Sequence, residues 1–272
     1  MDTSLSTLLP VIAALLATGA AAGFLAGLLG VGGGIIVVPV LYYLFEIVGV
    51  SPDISMHLAV GTSLATIVPT SIASARSHQR NGAVDDALLR LIGPAIIGGV
   101  LLGALIAAMV SGRTLTGVFA VVALLVALNM AFGRENWQIS ANLPGRTGTS
   151  AMGLIIGAFS SMMGIGGGTL SVPFLTLFGH PVHKAVGTAA AIGFLIAVPG
   201  TIGFVVSGWT VEGLPAFAVG YVHLLGFALI VPASVLMAPY GARVAHGLDR
   251  KLLSRIFALF LALTSIRMFI SL

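Results

Sequence analysis

The sequence predicts an all-α polytopic membrane protein of two homologous halves, with short helices interrupted at a pair of glycine triplets. Three observations predict it. First, the 272 residues are 58% hydrophobic and only 7% charged, with a mean hydropathy of +1.12, whereas a soluble domain carries about a quarter charged residues. Twelve Lys/Arg and eight Asp/Glu cannot cover a surface of this size, so lipid must be the solvent for most of it. Second, several apolar runs approach the roughly 20 residues that a bilayer core requires. Third, the chain repeats itself: GFLAGLLGVGGGIIVVPVL at 23–41 returns as GAFSSMMGIGGGTLSVPFL at 157–175. The formal net charge of +4 lies on residues between apolar runs, so it reports topology, and no nucleic-acid partner is expected. The chain contains no cysteine, which excludes disulfides and thiol chemistry.

Apolar runs cover 8–28, 35–50, 54–75, 87–110, 114–132, 150–164, 169–180, 185–206, 214–237 and 256–271. The first has the length of a secretory signal. It lacks a positive start and leads straight into the repeated motif, so it reads as the first membrane helix. Runs 8–28, 54–75, 87–110, 185–206 and 214–237 are long enough to span. Runs 35–50, 150–164 and 169–180 are short, because fifteen helical residues reach only about 22 Å against a core of about 30 Å. GRENWQISANLPGRTGTS at 133–150 is the long polar stretch, rich in turn residues. The expected organisation is a first repeat at 1–137, a polar linker at 138–149 and a second repeat at 150–272.

The duplication extends beyond the glycines. HLAVGT at 57–62 matches HKAVGT at 183–188. Pro94, Gly103, Ala104, Ala107, Leu115, Phe119 and Met130 match Pro232, Gly241, Ala242, Ala245, Leu253, Phe257 and Met268 at a constant offset of 138. If both short runs cross, each half has five crossings and the halves are inverted. With the N-terminus outside, ten basic residues then lie inside and only Arg113 and Arg267 outside. If the short runs dip in and return, the basic residues divide six against six. The positive-inside rule favours inversion. Short crossings that end on a water-filled cavity satisfy both charge and length.

Glycines four apart, at 19, 23 and 27, at 99 and 103, and at 153 and 157, suit close helix packing. That role does not cover Gly32, Gly33 and Gly34, or Gly166, Gly167 and Gly168. Three consecutive glycines cost a helix about 2–3 kcal/mol relative to alanine, so they mark breaks. A nucleotide loop is excluded, since GVGGGI lacks the fingerprint's last glycine and no Lys-Ser/Thr follows. A helix that restarts after glycine offers free N–H groups and a positive dipole end, and no side chain keeps an anion away. Pro39 and Pro173, five residues on, are expected to bend or interrupt the new helices. Paired breaks in two halves are the sequence pointer to a transporter's binding site. Thr62, Ser63 and Thr188 are candidate hydrogen-bonding partners of a ligand, or else back-bond to helix carbonyls. Ser160, Ser161, Thr169 and Ser171 flank the second triplet where the first has Ala26, Gly27, Ile35 and Val37. His57, His183 and Arg267 are candidate coupling residues, each near a segment end. Asp and Glu occur only near segment ends, which disfavours a carboxylate proton relay or cation site. The expected ligand is therefore an anion. No catalytic residue, metal site or cofactor is assigned.

Gly30–Gly34 with Pro39 and then Ala59-Val60-Gly61-Thr62-Ser63, repeated as Gly164–Gly168 with Pro173 and then Ala185-Val186-Gly187-Thr188-Ala189, resemble the TauE/SafE family of sulfite exporter-like membrane proteins. The second copy departs at Ala189, where serine is expected. The resemblance implies a multi-pass plasma-membrane transporter, here of the bacterial inner membrane, for small sulfur-containing anions such as sulfite or organosulfonates. The expectation is a secondary transporter working by alternating access, its partners being a small anion, the lipid bilayer, a coupling H+ or Na+ and a second copy of the chain. A passive anion channel is the first alternative. An intramembrane enzyme using Ser160 or Ser161 with His183 is the second, and requires nucleophile and base in contact.

Overall fold

The structure, a computed structural model, describes residues 5–29, 33–132, 138–245 and 250–272. Gly32 lies outside the described residues. The first half folds as α1 (Leu5–Leu29), α2 (Gly34–Ile47), α3 (Pro52–Arg80), α4 (Asp86–Met109) and α5 (Gly112–Phe132). The second repeats the series as α6 (Arg146–Met163), α7 (Gly167–Leu177), α8 (Val182–Ser207), α9 (Leu224–Ala245) and α10 (Arg250–Ile270). Among the described residues, six helices are long and apolar enough to cross a bilayer: α1, α3, α4, α5, α8 and α9. The two that follow the glycine runs, α2 and α7, are the short apolar ones.

Local chemistry sets several boundaries. Pro52 opens α3, where its missing N–H would be unpaired in any case. The Asp85 carboxylate accepts from the Leu88 amide at 3.0 Å and caps α4. Three expectations are corrected. The run 214–237 is not continuous helix, because Gly213, Pro215 and Gly220 divert the chain. Residues 218–223 form a hairpin in which β1 (Ala218–Val219) pairs antiparallel with β2 (Val222–His223), and α9 starts only at Leu224. Helix α6 begins at Arg146, ahead of the expected start of its run at 150. Pro39 and Pro173 do not interrupt their helices. Each sits in the second turn, where its cost is the lost amide bond to a carbonyl four residues back, at Ile35 and at Thr169.

The halves interlock. Helix α1 packs on α9 and α4 on α6, so each half's first helix lies against the other's fourth. Helices α3 and α8 pack together at the centre, α5 packs on α10, and α2 and α7 each line their own half's central helix. Exchanging the halves maps this set of contacts onto itself. The outward faces are apolar, with Leu101 and Leu105 on α4, Leu125 on α5 and Leu263 on α10 exposed. Hydroxyls cluster inside, with Ser55, Thr62, Ser63, Ser160, Ser161 and Thr188 all fully buried. Apolar outside and polar within is the arrangement a lipid solvent selects.

Close approach explains the small-residue spacing. A Cβ at Gly99 or Gly103 would strike the carbonyls of Leu154 or Ala158 on α6. The repeat reproduces the contact between α1 and α9, where Gly19 faces the Ile230 carbonyl and Gly23 that of Ser234. Adjacent positions on α4 separate packing from propensity. A Cβ at Gly98 meets nothing within 4 Å. Gly98→Ala should stabilise the protein by up to about 1 kcal/mol through helix propensity. Gly99→Ala should destabilise it by about 1–3 kcal/mol through overpacking. Melting temperatures of the purified protein in detergent should therefore move in opposite directions, and equal shifts would contradict the packing of α4 on α6.

Candidate functional site: the paired helix breaks

Helix α6 ends at Gly164, whose φ of 66° lies in the left-handed region that glycine alone enters without strain. Its amide donates to the Ser161 carbonyl at 3.3 Å, and the Ile165 amide to that of Ser160 at 3.0 Å. The chain then runs extended through Gly166 and restarts as α7 at Gly167, with no side-chain cap. Among the described residues, no carbonyl accepts from the amides of Gly166, Gly167 or Gly168. Two hydroxyls beside them, Ser160 Oγ and Ser171 Oγ, are also buried without a partner. An unpaired buried donor costs about 1–3 kcal/mol, so this concentration of them requires a cause.

Neighbouring elements close the site. Ser161 Oγ donates to the Ala158 carbonyl at 2.9 Å and lies 3.3 Å from that of Val100. Thr169 is buried and engaged. From α3, Ser63 Oγ donates to the Gly164 carbonyl at 2.7 Å, and Thr66 Oγ1 to the Ser63 carbonyl at 2.7 Å. The start of α2 completes the arrangement. A Cβ at Gly34 would lie 2.5 Å from the Gly164 oxygen and 3.0 Å from Ile67 Cδ1, while one at Gly166 would lie 3.5 Å from Ile67 Cγ2. The two breaks thus converge on Ile67 of α3, with Gly33 half-buried beside Ala22. No Asp, Glu, Lys or Arg is among the buried residues described. The site offers hydrogen-bond donors and a helix start with no fixed charge, which is the chemistry of anion binding.

The structure gathers Gly33, Gly34, Ser63, Ser161, Gly166, Gly167, Gly168 and Thr169 around the breaks. It uses Thr62 and Thr188 at the seams between halves. The His223 amide donates to Thr62 Oγ1 at 2.9 Å, and the Asp85 amide donates to Thr188 Oγ1 at 2.9 Å. Residues 85 and 223 are 138 apart, the offset of the duplication, so the two bonds are one contact made twice. Gly61 and Gly187 precede the threonines, and a Cβ on either would strike the carbonyl of Tyr221 or Ala83 respectively. The repeated Val-Gly-Thr is therefore a clasp: glycine admits the other half's backbone and threonine holds its amide.

The remaining candidates lie elsewhere. His57 is buried at the start of α3, its Nε2 2.8 Å from the Ala107 carbonyl and its ring stacked on Tyr221 at 4.9 Å. His183 is exposed at the start of α8. Ser160 and Ser161 are fully buried, and neither bonds a histidine among the described residues. Arg267 is exposed on α10, over the Tyr43 ring. Sequence reasoning passed over Asp85, His223 and Tyr221. Each serves its clasp through backbone atoms, so its side chain records nothing of the role; carrying the 138-residue offset back from Pro94 would have reached them.

The model of the sulfite exporter TauE/SafE family matches residues 15–268. The chain belongs to the TauE/SafE family. A probable membrane transporter protein of Haemophilus influenzae is 36% identical over 255 residues, spanning 94% of this chain and 97% of that one. Probable membrane transporter proteins of Methanocaldococcus jannaschii and Bacillus subtilis are 27% and 26% identical, covering 88% of this chain and 86% and 88% of their own. No solved structure matches significantly. At that level of description, this TauE/SafE protein is a multi-pass membrane transporter.

One clasp carries a titratable ring. His223 Nδ1 accepts from the Gly226 amide at 3.1 Å, and the ring meets Phe45 edge-on at 5.4 Å. Burial pushes its pKa below the ordinary imidazole value, against an opposing backbone hydrogen bond to Ala216. A ring held neutral in the fold contributes no penalty above the unfolded value of about 6.5, and destabilises the fold as pH falls below it. Hydrogen exchange across 208–226, corrected for intrinsic rates, should therefore accelerate on acidification below about pH 6.5. His223→Gln should flatten that dependence.

Proposed function

We propose that this protein is a secondary transporter of a small anion, of the sulfite or organosulfonate class, in the bacterial plasma membrane. The observation that carries the reading is the set of donors at the α6–α7 break that lack a partner among the described residues: the backbone amides of Gly166 and Gly167, that of half-buried Gly168, and two buried serine hydroxyls, with no charged side chain among the buried residues described. A tetrahedral or pyramidal oxyanion supplies several acceptor atoms and a charge for the dipole of α7. The family's name supports the sulfur-containing class.

The site's depth supports transport rather than surface binding. Ser63 lies eleven residues into α3, about 17 Å along its axis. Helix α7, about 16 Å long, reaches back from the break to the linker, where the Ile139 amide bonds the Leu177 carbonyl at 2.8 Å. These lengths support a break near the middle of a core of about 30 Å. The halves are inverted on this reading; five helices in each half and the ten-to-two division of basic residues that five crossings would give support it. The Thr62 clasp then closes the outer side and the Thr188 clasp the inner side, and alternating access releases one while the other holds. The site residues Ser63, Ser160, Ser161, Thr169 and Ser171 are at most 2% exposed, which favours an occluding carrier over an open channel. The coupling ion is a proton or sodium.

Proteoliposomes loaded with labelled sulfite, sulfate, sulfoacetate and a carboxylate control test the reading, with flux expected for a sulfur oxyanion and no unitary currents in a planar bilayer. Ser160→Ala and Ser171→Ala are the sharpest variants. Each removes a hydroxyl that bonds nothing in the protein, so melting temperature should hold or rise. Loss of a hydrogen bond to a charged ligand is worth about 1.5–3 kcal/mol, so KM should rise at least about tenfold. Unchanged transport in the double variant would remove the site from consideration.

A further inference from the structure

Arg267 is not accounted for by the transport site. It stands in the last turn of α10 where the first half has Asn129, so no symmetric role explains it. Its guanidinium carbon lies 4.5 Å from the centre of the Tyr43 ring on α2. Among the described residues no carboxylate pairs with it, the one ion pair being His180 with Asp85 at 3.5 Å. The aromatic face holds the planar cation but leaves its N–H fork without an acceptor. Tyr43 Oη is itself buried with no hydrogen bond among the described residues, the Ser271 hydroxyl and the Glu46 carboxylate being near enough to act on it. Between α2 and α10 runs a cavity of about 310 Å³, walled by Pro39, Phe260 and Leu263 and carrying Tyr43, Thr264 and Arg267 as its polar groups.

The geometry points to a binding site for an anionic phospholipid, its phosphate on Arg267 and Tyr43 Oη and an acyl chain along Phe260 and Leu263. Three features select lipid over a water-borne anion. The cavity opens on an apolar, outward-facing stretch of α10: its wall residue Leu263 is 60% exposed, and Ile266 and Ile270 further along the helix are 49% and 82% exposed. Such a face contacts hydrocarbon. The cation lies three residues from the end of α10, where an arginine meets the headgroup layer. Phe260 is seven residues deeper, about 10 Å along the helix, at the level of the chains. Charged above and oily below is a lipid's own profile, and a bound headgroup relieves both the unpaired cation and the unpaired hydroxyl. Because Pro39 and Tyr43 belong to α2, which begins at Gly34 against the break, a seated lipid also fixes the helix that borders the anion site.

The full-length protein, purified in detergent, should bind phosphatidylglycerol in preference to phosphatidylcholine, read as lipid retained in native mass spectrometry and as a larger rise in melting temperature. Arg267→Gln should reduce the preference about five- to tenfold, while Arg113→Gln, at another exposed arginine, near the start of α5, should leave it intact. Leu263→Trp, which fills the cavity without touching the charge, should lower retention of both lipids. Melting in phosphatidylcholine confirms that each variant is folded. Equal binding of the two lipids, or an unchanged preference in Arg267→Gln, would overturn the assignment. So would inorganic phosphate or sulfite reproducing the Arg267-dependent stabilisation, since the cavity would then be taking its anion from water.

Discussion

Inside hydrocarbon there is no water to pair a free backbone amide, and this constraint organises the molecule. Helices satisfy it along most of the chain. At 164–168 the sequence breaks the rule on purpose, with a glycine in the left-handed region, an extended glycine and a helix start with no side-chain cap. The unpaired amides are tolerable only because α3, α6, α8 and the start of α2 surround them, so they face protein rather than lipid. On the reading proposed above, a charged ligand completes what the backbone leaves open. A soluble protein with the same loop would satisfy it with water, and the anion would gain correspondingly less.

Holding such a break requires rigid surroundings, and the interlocked halves supply them. Neither half encloses the site alone, because α1 must lean on α9 and α4 on α6. The Val-Gly-Thr clasps join the halves near the starts of α4 and α9 with single hydrogen bonds. A bond of this kind contributes about 1 kcal/mol net. On the alternating-access reading, that is enough to define a closed seam and little enough to be released by a ligand's differential affinity for two states. The glycine contacts along α1–α9 and α4–α6 are extended and backbone to backbone, so they suit the parts that move as units.

Composition made the solvent legible, and the glycine triplets made the breaks legible, because both depend on residue type. The helix order followed from the duplication. Legibility failed where the backbone alone acts. Nothing in the side chain of Asp85 or His223 announces that its amide is held by a threonine of the other half. Thr62 and Thr188 read equally well as ligands or as back-bonding hydroxyls, and the structure shows neither arrangement in its bonds, giving each an amide donor from across the seam. The hairpin at 218–223 was hidden for a different reason: its Ala and Val residues, with Phe217 before them, have the hydropathy of a span, and only Gly213, Pro215 and Gly220 betray the turns. Pro39 and Pro173 misled only as interruptions, since a proline in the second turn frees one carbonyl without ending the helix.

The departures from symmetry are as informative as the repeat. Two identical inverted halves would make the outward- and inward-open states mirror exchanges of one another and equal in energy. This chain is not identical in its halves. The hydroxyls at the break come from the second half, with Ser160, Ser161, Thr169 and Ser171 standing where the first has Ala26, Gly27, Ile35 and Val37. Ser63 reaches across to the Gly164 carbonyl, while its counterpart Ala189 has no hydroxyl with which to return the bond. The clasps differ as well, one backed by a histidine ring against Phe45 and the other by a capping aspartate with His180 nearby. On the alternating-access reading these differences tilt the equilibrium between the two states. On the same proposed reading they favour the α7 side over α2, so that a single anion would bind where the repeat alone would have made two sites.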